Sequence, residues 1–469
     1  MDSETLVLGG GLAGLAAGAP LARAGRPVRV LEADSRVGGL ARTIVRDGFR
    51  FDLGGHRFFT DNARVAAFMH ALLGDELLTV RRASQIRLRG RYIDYPLRPA
   101  NALLGLGPIA AARILGDYLL APARRRFQNA SPVSLEDWVV RHFGRTLFNL
   151  YFKEYSEKVW GLDCRNISAD WVAKRVQGLS LGKALRAALS GSGRAAPRTL
   201  AHEFLYPRLG IGRIAERLRE EIVSSGRVLT QTQVMRIDHD TGRITRVATR
   251  QGTQSAIHPA EEVVASLPLP TLARLLHPKP PPDVLAAAAR LRYRDMVIVA
   301  VMLDRPRVTD QTWIYFPEQE IPFGRIHEPT NWSAAMAPAG KTLLVAEHFC
   351  FRGDALWSAA DTALAASTVA HLERLGLIRR DEVLDSVVMR IPRAYPVFEV
   401  GYQDWCDRLL HYLGRFENLT LAGRTGLFQY YNMDQAIASG LAAADKILER
   451  GGATRPRHEP VTARAGASA

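Results

Sequence analysis

The sequence predicts an α/β fold in which a discontinuous Rossmann-like domain carries a mainly helical insert and an antiparallel β-sheet domain. Three observations support this fold class. An apolar run at residues 6–8 breaks at three glycines and continues as an alanine-rich helical pattern. Strand and helix signals of the same kind return near residues 200–272 and 395–450. A β-rich stretch with many aromatic residues lies between them, at about 293–395.

The first glycines are spaced as Gly9-x-Gly11-x-x-Gly14 between two predicted strands. The first allows a tight turn, the second allows a pyrophosphate to approach the backbone, and the third lets the helix pack closely on the strand. The helix N-terminus also favours a diphosphate. Glu32 follows about 20 residues later, where a carboxylate accepts hydrogen bonds from ribose hydroxyls. The pattern predicts a dinucleotide site, and an ordinary glycine turn is the alternative.

A second glycine pair follows in the segment Arg36-Val37-Gly38-Gly39. It allows a second close backbone approach, which a plain nicotinamide site does not need. Together the two segments resemble the N-terminal FAD fingerprint of the family that contains amine oxidases, protoporphyrinogen oxidase, carotene desaturases and UDP-galactopyranose mutase. The resemblance implies a flavoprotein with FAD as its cofactor.

The composition is that of a globular protein with more than one core. The 469 residues predict two or three interleaved domains, and 47% are hydrophobic and 23% charged. Three cysteines lack metal-ligand spacing and offer no disulfide framework. The first strand begins too early to leave room for a signal peptide. We therefore expect a cytoplasmic protein without a metal site.

The net charge of +15 comes mostly from arginine. No long basic run or nucleic-acid-binding motif accompanies it, so nucleic acid is not expected as a partner. We attribute the charge to solvated arginines and to a basic pocket for FAD and an anionic small-molecule substrate. The apolar stretch 101–121 is interrupted by glycine, proline and charged residues, so no membrane span is expected. Weak peripheral membrane contact is the alternative.

The domains are expected to interleave along the chain. Residues 1–60, 200–272 and 395–450 are predicted to form the FAD-binding domain, 61–199 a mainly helical insert and 273–394 a β-rich substrate domain. Within these, we expect a hairpin at 86–95, a capped helix start at Ser134 and one strand over 228–237. A flexible loop at 190–197 and a disordered tail at 451–469 complete the prediction.

The closing segment, residues 418–435, contains an apolar strand, then Gly423-Arg424, then Tyr-Tyr-Asn-Met-Asp at 430–434. In flavin oxidases of this superfamily an acid follows the analogous glycine, whereas here an arginine follows it. The arrangement resembles UDP-galactopyranose mutase closely. The resemblance and the glycine segments together predict the following cofactor contacts: Gly9, Gly11, Leu12, Ala13, Gly14, Glu32, Ala33, Arg36, Gly39, Leu40, Gly55, His56, Val234, Gly423, Arg424, Asn432, Met433 and Asp434.

Other segments resemble the same mutase. Residues 151–161 resemble the helix whose tyrosine meets the uracil and whose Lys-x-Trp lies near the sugar. Residues 323–326 resemble the segment whose arginine grips the diphosphate, and Arg175 is the candidate for a second such arginine. Arginine suits phosphate oxygens because its planar fork is permanently charged. The predicted catalytic residues are Arg175, Arg325, Tyr430, Tyr431 and His56, and the predicted substrate contacts are Tyr155, Trp160, Arg175, Arg325 and Tyr430.

Each assignment has a simpler alternative. Arg175 is also compatible with a helix surface, and Arg325 with an ion pair to Glu328. Tyr155 and Trp160 are at helical spacing and are compatible with core packing. His56 fits a structural group near the flavin better than a general base. In the sequence, Asp52 and Glu347 show no partner that would mark a catalytic carboxylate.

The resemblance implies a nucleotide-linked sugar that is isomerised between pyranose and furanose forms through an adduct at the reduced flavin N5. FAD would then be needed in reduced form, from an external reductant. Phe59 stands where these mutases carry a second histidine, and Leu427 and Phe428 where they prefer polar or tyrosyl residues. An FAD-dependent oxidase, dehydrogenase or desaturase acting on a natural-product or lipid-linked substrate is therefore the alternative. A non-enzymatic flavin-binding protein is the third hypothesis, and a homodimer stays open.

Overall fold

The structure is a computed structural model that describes residues 4–95, 112–114, 116–117, 120, 131–176 and 203–453. Side chains are described in these ranges except at 173–176 and 451–453. The predicted loop at 190–197, most of the apolar stretch 101–121 and the tail beyond residue 453 lie outside the described residues.

A five-stranded parallel sheet contains the N-terminal strand at its centre. Alternate residues of that strand face opposite sides: Val7 packs with the helices that begin at residues 12, 212 and 433, whereas Leu6 and Leu8 pack with the helix that begins at residue 269. Both faces are therefore buried, as in other parallel sheets. In spatial order the strands are Leu419–Leu421, Glu262–Ala265, Thr5–Leu8, Val28–Leu31 and Arg227–Leu229. Distant pieces of the chain complete one sheet, which confirms the predicted fold class.

The helix Leu12–Arg23 packs against the sheet and against the helices Gly212–Val223 and Met433–Ala453. Two glycines set its close approach. A Cβ atom at Gly14 would lie 2.0 Å from the carbonyl oxygen of Gly9, and one at Gly440 would lie 2.2 Å from the carbonyl oxygen of Ala13. Any larger residue at either position would force the helix away from its neighbour.

A seven-stranded sheet, mostly antiparallel, occupies the predicted β-rich region. In spatial order its strands are Val383–Pro396, Tyr293–Leu303, Thr342–Cys350, Arg325–His327, Trp313–Tyr315, Ser84–Leu88 and Arg91–Asp94. The last two strands form the predicted hairpin. They come from the region predicted to be mainly helical, and they join this sheet through parallel pairing with Trp313–Tyr315.

Three smaller sheets complete the strands. Their members are Gln254–Pro259, Ile244–Gln251, Gln233–His239 and Leu276–His277 in one, Thr43–Arg46 and Phe49–Asp52 in the second, and Leu77–Arg81 and Glu203–Pro207 in the third. The prediction of one strand over 228–237 is wrong. Gln231 has a φ of 54°, and this left-handed turn sends the chain from the parallel sheet into the four-stranded sheet.

The helical segment begins as predicted, because Ser134 and Asp137 form a reciprocal capping box. A π-helical turn at Phe148–Phe152 leads into the helix Lys153–Trp160. The final helix extends to Ala453, three residues into the segment predicted as a disordered tail. The remaining helices are Ala63–Leu73, Leu135–Phe143, Arg145–Leu147, Ala169–Val176, Leu269–Leu275, Pro282–Arg290, Ala355–Ser358, Asp361–Arg374, Tyr402–Leu413 and Gly423–Gly426.

No helix within the described ranges is both long and apolar enough to cross a bilayer. The same ranges contain no group of three or more His, Cys, Asp or Glu side chains arranged to hold a metal ion. The three cysteines, Cys164, Cys350 and Cys406, are free and buried.

Candidate active site

The first glycine turn leaves open space at the start of a helix. Gly9 has a φ of 104°, and Gly11 is the N-cap of the helix Leu12–Arg23 without a side-chain cap and without an acidic residue in the first turn. A Cβ atom at Gly11 would meet no atom within 4 Å. The first amides of this helix therefore face room for an anionic group.

The second glycine segment borders the same space. The amide of Gly38 donates to the carbonyl of Gly10 at 2.7 Å, and Gly11 and Gly38 form a parallel bridge. Gly39 has a φ of 58°, and its Cβ position lies 3.3 Å from the Cα of Gly11. Arg36 is exposed, and Leu40 is half-buried against the apolar cluster around Phe51.

Glu32 is oriented by two backbone amides. Its Oε2 accepts from the amide of Gly10 at 2.7 Å and its Oε1 from the amide of Asp34 at 2.8 Å. Burial raises the pKa of Glu32, and these two hydrogen bonds oppose the rise. The backbone of Thr232 donates to the carbonyl of Glu32 at 2.8 Å, which brings the start of the strand containing the buried Val234 beside it. Ala33 is exposed at the same edge.

The C-terminal loop closes on the first turn from the other side. Gly423 has a φ of 83°, and a Cβ there would lie 2.8 Å from the Cβ of Ala13. Its amide donates to Ser439 Oγ at 2.9 Å. Asn432 is exposed just before the final helix and donates its amide to Gln435 Oε1 at 3.0 Å. Met433 and Asp434 begin that helix, which packs on the helix after the first turn.

A buried ion pair lies beside the Gly55-His56 turn. Arg325 donates from Nε and Nη2 to the carboxylate of Glu347, at 3.0 and 2.5 Å. The amide of Gly55 donates to the same carboxylate at 2.8 Å. Glu347 has no exposed side-chain surface, and Arg325 is 18% exposed. Burial opposes ionisation of Glu347, but the charge of Arg325 holds its pKa well below the usual range.

His56 lies next to this pair. Its Nδ1 is 3.0 Å from the carbonyl oxygen of Gly54. Burial lowers the pKa of His56 to about 4, so the imidazole is neutral near neutral pH. A neutral ring held by its own turn agrees with a structural role better than with that of a charged general acid.

Aromatic rings from four segments of the chain lie around Arg325 and Arg424. Tyr155 contacts Tyr315 edge to face at 5.6 Å between centroids. Tyr395 and Tyr430 stack with centroids 6.0 Å and planes 15° apart. The guanidinium carbon of Arg424 lies 4.9 Å from the centroid of Tyr395 and 4.8 Å from that of Tyr430. Burial raises the pKa of Tyr155 well above its usual value and that of Tyr395 to about 12, so both keep their hydroxyl protons.

Few described protein groups compensate the positive charge of Arg424. Among the described residues its guanidinium makes one hydrogen bond, from Nη1 to the carbonyl of Ala394 at 3.4 Å, and its buried Nε has no acceptor there. No carboxylate of the described residues lies within ion-pair distance of it. Arg424 is therefore suited to meet an anion that is not part of the protein.

Other predicted residues are placed differently. Trp160 is almost fully buried and touches the rings of Trp171, Tyr395 and Tyr430, which agrees with core packing. Tyr431 is half-buried, and burial raises its pKa, but it makes no ring contact with another described aromatic residue. Arg175 falls on the helix Ala169–Val176, and its side chain lies outside the described part of the structure.

Two interpretations of the acids are wrong. Arg325 pairs with Glu347 and not with Glu328, which accepts instead from the amides of Val308 and Thr309. Asp52 and Glu347 both have close partners. The Asp52 carboxylate accepts from the hydroxyls of Tyr206 and Thr43, each at 2.6 Å, and from the amide of Ile211 at 3.2 Å.

The sequence profile of the family described as flavin containing amine oxidoreductase matches residues 12–448. The chain belongs to the flavin-containing amine oxidoreductase family. As a member of this family it is an FAD-dependent flavoenzyme. The two glycine segments and Glu32 fit that cofactor. A dinucleotide requires open space for its diphosphate, a free helix N-terminus and an oriented carboxylate, and the chain provides these at Gly11, at the start of the helix Leu12–Arg23 and at Glu32.

Solved structures share this flavoenzyme fold over nearly the whole chain. A reduced UDP-galactopyranose mutase superposes with a TM-score of 0.81 at 21% identity, covering 96% of this chain and 94% of that one. A putative protoporphyrinogen oxidase from Exiguobacterium sp. 255-15 gives 0.72 at 20% identity, covering 96% and 99%. A cyclohexylamine oxidase from Brevibacterium oxydans IH-35A gives 0.67 at 16% identity, covering 96% and 100%. At these identities the likeness shows the fold.

Curated relatives of this flavoenzyme match only a short segment. An inactive all-trans-retinol 13,14-reductase of Danio rerio is 49% identical over 51 residues, which are 11% of this chain and 8% of the reductase. A carotenoid 3,4-desaturase of Haloarcula japonica is 47% identical over 51 residues, 11% of this chain and 10% of the desaturase. The match thus spans about a tenth of these relatives.

Sequence reasoning missed Glu347, Tyr315 and Tyr395 as neighbours of the predicted residues in this flavoenzyme. One signal was present for Glu347. It is the acid in the otherwise mostly apolar strand Thr342–Cys350, where a buried carboxylate requires a cationic or hydrogen-bonding partner. Tyr315 and Tyr395 carry no such local signal.

Proposed function

We propose that this flavoenzyme isomerises a nucleotide-linked sugar between pyranose and furanose forms, in the manner of the mutase that the sequence resembles. The observation that carries the proposal is Arg424, a cation without a carboxylate partner in the described chain, whose guanidinium carbon lies 4.9 and 4.8 Å from the ring centroids of Tyr395 and Tyr430. A guanidinium that has no carboxylate partner and lies against two aromatic rings suits a ligand that joins a phosphate to a sugar or base.

Each residue of the site has a defined task in this proposal. Arg424 holds an anionic group of the substrate or of the cofactor. Arg325 offers its Nη1, which makes no hydrogen bond within the described chain, to a phosphate oxygen. Tyr155, whose pKa burial raises well above its usual value, keeps its hydroxyl proton and donates it to the ligand, and the ring of Tyr430 contacts the ligand. When bound, FAD supplies the covalent chemistry at the sugar.

A parallel substrate screen tests the proposal. Oxidised and dithionite-reduced holoenzyme are incubated with UDP-galactopyranose and UDP-galactofuranose, and product and flavin absorbance are followed together. We expect isomerisation only in the reduced enzyme and without net electron consumption. Reduced enzyme that binds and isomerises neither compound would refute the proposal.

A second candidate is a net redox reaction on a less polar, natural-product or lipid-linked substrate. The buried Arg325–Glu347 pair favours it, because the carboxylate of Glu347 already compensates much of the charge of Arg325. The short matches to a retinol reductase and a carotenoid desaturase agree with it. Substrate-dependent bleaching of the oxidised flavin would support this candidate, and unchanged flavin with every compound tried would count against it.

The remaining assignments stay predictions. The mutase proposal requires an external reductant. A cytoplasmic location and a homodimer are further predictions, which cell fractionation and sedimentation of the purified holoenzyme would test.

A further inference from the structure

Arg325 and Glu347 face each other directly across two antiparallel strands. The pair is in register between Arg325–His327 and Thr342–Cys350, so the backbone itself places the two side chains together. The guanidinium contacts both carboxylate oxygens, which is the strongest geometry available to an arginine and a carboxylate. The pair is therefore built into the sheet and does not depend on a chance rotamer.

Two further groups lie against the carboxylate of Glu347. Gly55 donates its amide to Oε1 at 2.8 Å. His327 Nδ1 lies 3.5 Å from the same oxygen, and its ring stacks on Trp332 with centroids 4.8 Å and planes 9° apart. Neither ring nitrogen of His327 has a hydrogen-bond partner among the described residues. Because Glu347 is fully buried, it cannot leave Arg325 without losing its compensation for desolvation.

A ligand anion at this place meets a guanidinium that is already paired. It can reach the remaining Nη1, but it also meets the negative charge of Glu347 directly behind Arg325. Arg424 differs, because no described carboxylate stands behind its charge. The two arginines of the site are thus unequal as anion sites.

We infer that Glu347 is a specificity-determining residue that weakens the binding of polyanionic ligands at Arg325. The site consequently favours ligands whose charge is held at Arg424 and whose remaining groups meet the aromatic rings. The inference rests on the proposed function only in assuming that the ligand is anionic. It assigns the preference among such ligands to one carboxylate.

The test uses FAD-loaded holoenzyme, with UDP and inorganic pyrophosphate as probes in calorimetric titrations at low and high salt. In Glu347→Gln, the amide oxygen can still accept from Gly55, but the negative charge is gone. We expect both probes to bind about tenfold more tightly than to the wild type at low salt. The gain should shrink at high salt and should vanish when Arg325→Met is added.

A matched control breaks a different buried Arg–Glu pair. Glu318 contacts Arg87 at 2.7 Å outside this cluster, and Glu318→Gln should leave both affinities at the wild-type value. If Glu347→Gln fails to retain FAD, Glu347→Asp draws the carboxylate back from Arg325 and should change affinity in the same direction.

The outcomes separate this inference from the proposed function. Tighter pyrophosphate binding without UDP binding would uphold the role of Glu347 and refute the nucleotide ligand. Unchanged or weaker pyrophosphate binding in a folded, FAD-loaded Glu347 variant would overturn the inference. A gain that survives Arg325→Met would overturn it as well.

Discussion

A Cβ atom at Gly161 would lie 2.4 Å from Nη1 of Arg294. Gly161 ends the helix Lys153–Trp160 with a φ of 65°, and Arg294 donates to the carbonyls of Val159 and Lys158 at 3.0 and 3.2 Å. A third bond, at 3.1 Å, reaches the carbonyl of Phe349. One buried guanidinium thus caps the helix that carries Tyr155 and ties it to the antiparallel sheet.

Arg294→Met should loosen this helix. Three carbonyls lose a charged donor, so we expect stability to fall by about 3 kcal/mol and amide exchange at 153–161 to accelerate. Arg292→Met is the matched control. Both arginines stack on the ring of Phe351, but the side chain of Arg292 is 48% exposed. Losing its ion pair with Glu399 should therefore lower the unfolding free energy by less than about 1 kcal/mol. Equal losses in the two variants, measured by urea unfolding, would contradict the capping role.

Glu32→Ala should weaken FAD binding without unfolding the parallel sheet. The substitution removes the carboxylate that the amides of Gly10 and Asp34 orient. Hydrogen bonds to charged groups contribute about 1.5–3 kcal/mol, so FAD affinity should fall by about tenfold or more. Asp34→Ala removes a neighbouring exposed carboxylate and should retain FAD. Titration of the apoprotein with FAD measures both, and equal affinities would contradict the ribose-binding role of Glu32.

Gly11→Ala and Gly14→Ala should fail for different reasons. A Cβ at Gly11 enters open space, and the φ of −72° suits alanine, so the apoprotein should keep its stability within about 0.5 kcal/mol while FAD affinity drops. A Cβ at Gly14 meets the carbonyl of Gly9, so that variant should lose about 1–3 kcal/mol of stability even without FAD. Thermal unfolding of both apoproteins provides the comparison. If Gly11→Ala bound FAD normally, the space at Gly11 would not be the diphosphate site.

Features encoded by local spacing were predictable from the sequence. The glycine turn, the carboxylate of Glu32 and the capping box at Ser134 each depend on residues within one or two adjacent elements. Their geometry follows from backbone sterics and helix ends, which the sequence displays directly. The hairpin near residues 86–95 was predictable for the same reason.

The centre of the site was not predictable, because it depends on register between strands. Arg325 faces Glu347 only because the two strands pair in one register, and a shift of one strand by one residue would place the two side chains on opposite faces of the sheet. Tyr395 reaches Arg424 from the far end of a 14-residue edge strand. The turn at Gln231 depends on hydrogen bonds to the segment 32–34, which lies about 200 residues earlier in the chain. None of these relationships leaves a periodic signal.

Asp52 should make stability depend on pH between about 4 and 6. Burial raises the pKa of Asp52 to about 6, although bonds from Thr43, Tyr206 and Ile211 oppose the rise. The folded state therefore holds this proton more tightly than the unfolded chain. The stabilisation is complete below the unfolded pKa and is lost as the pH rises through the folded pKa, by about 3 kcal/mol in all.

Asp52→Asn should remove this dependence. We expect the difference in unfolding free energy between wild type and Asp52→Asn to move by about 2 kcal/mol against the wild type as the pH rises from 4 to 7. Urea unfolding at fixed excess FAD measures it. Asp445→Asn is the control of opposite sign, since its hydrogen bond with Arg64 lowers the pKa of Asp445 and its stabilisation is lost as the pH falls. A difference for Asp52→Asn that stays flat across this range would mean that Asp52 is ionised in the fold, and the turn at Gly55 would then begin beside a buried negative charge.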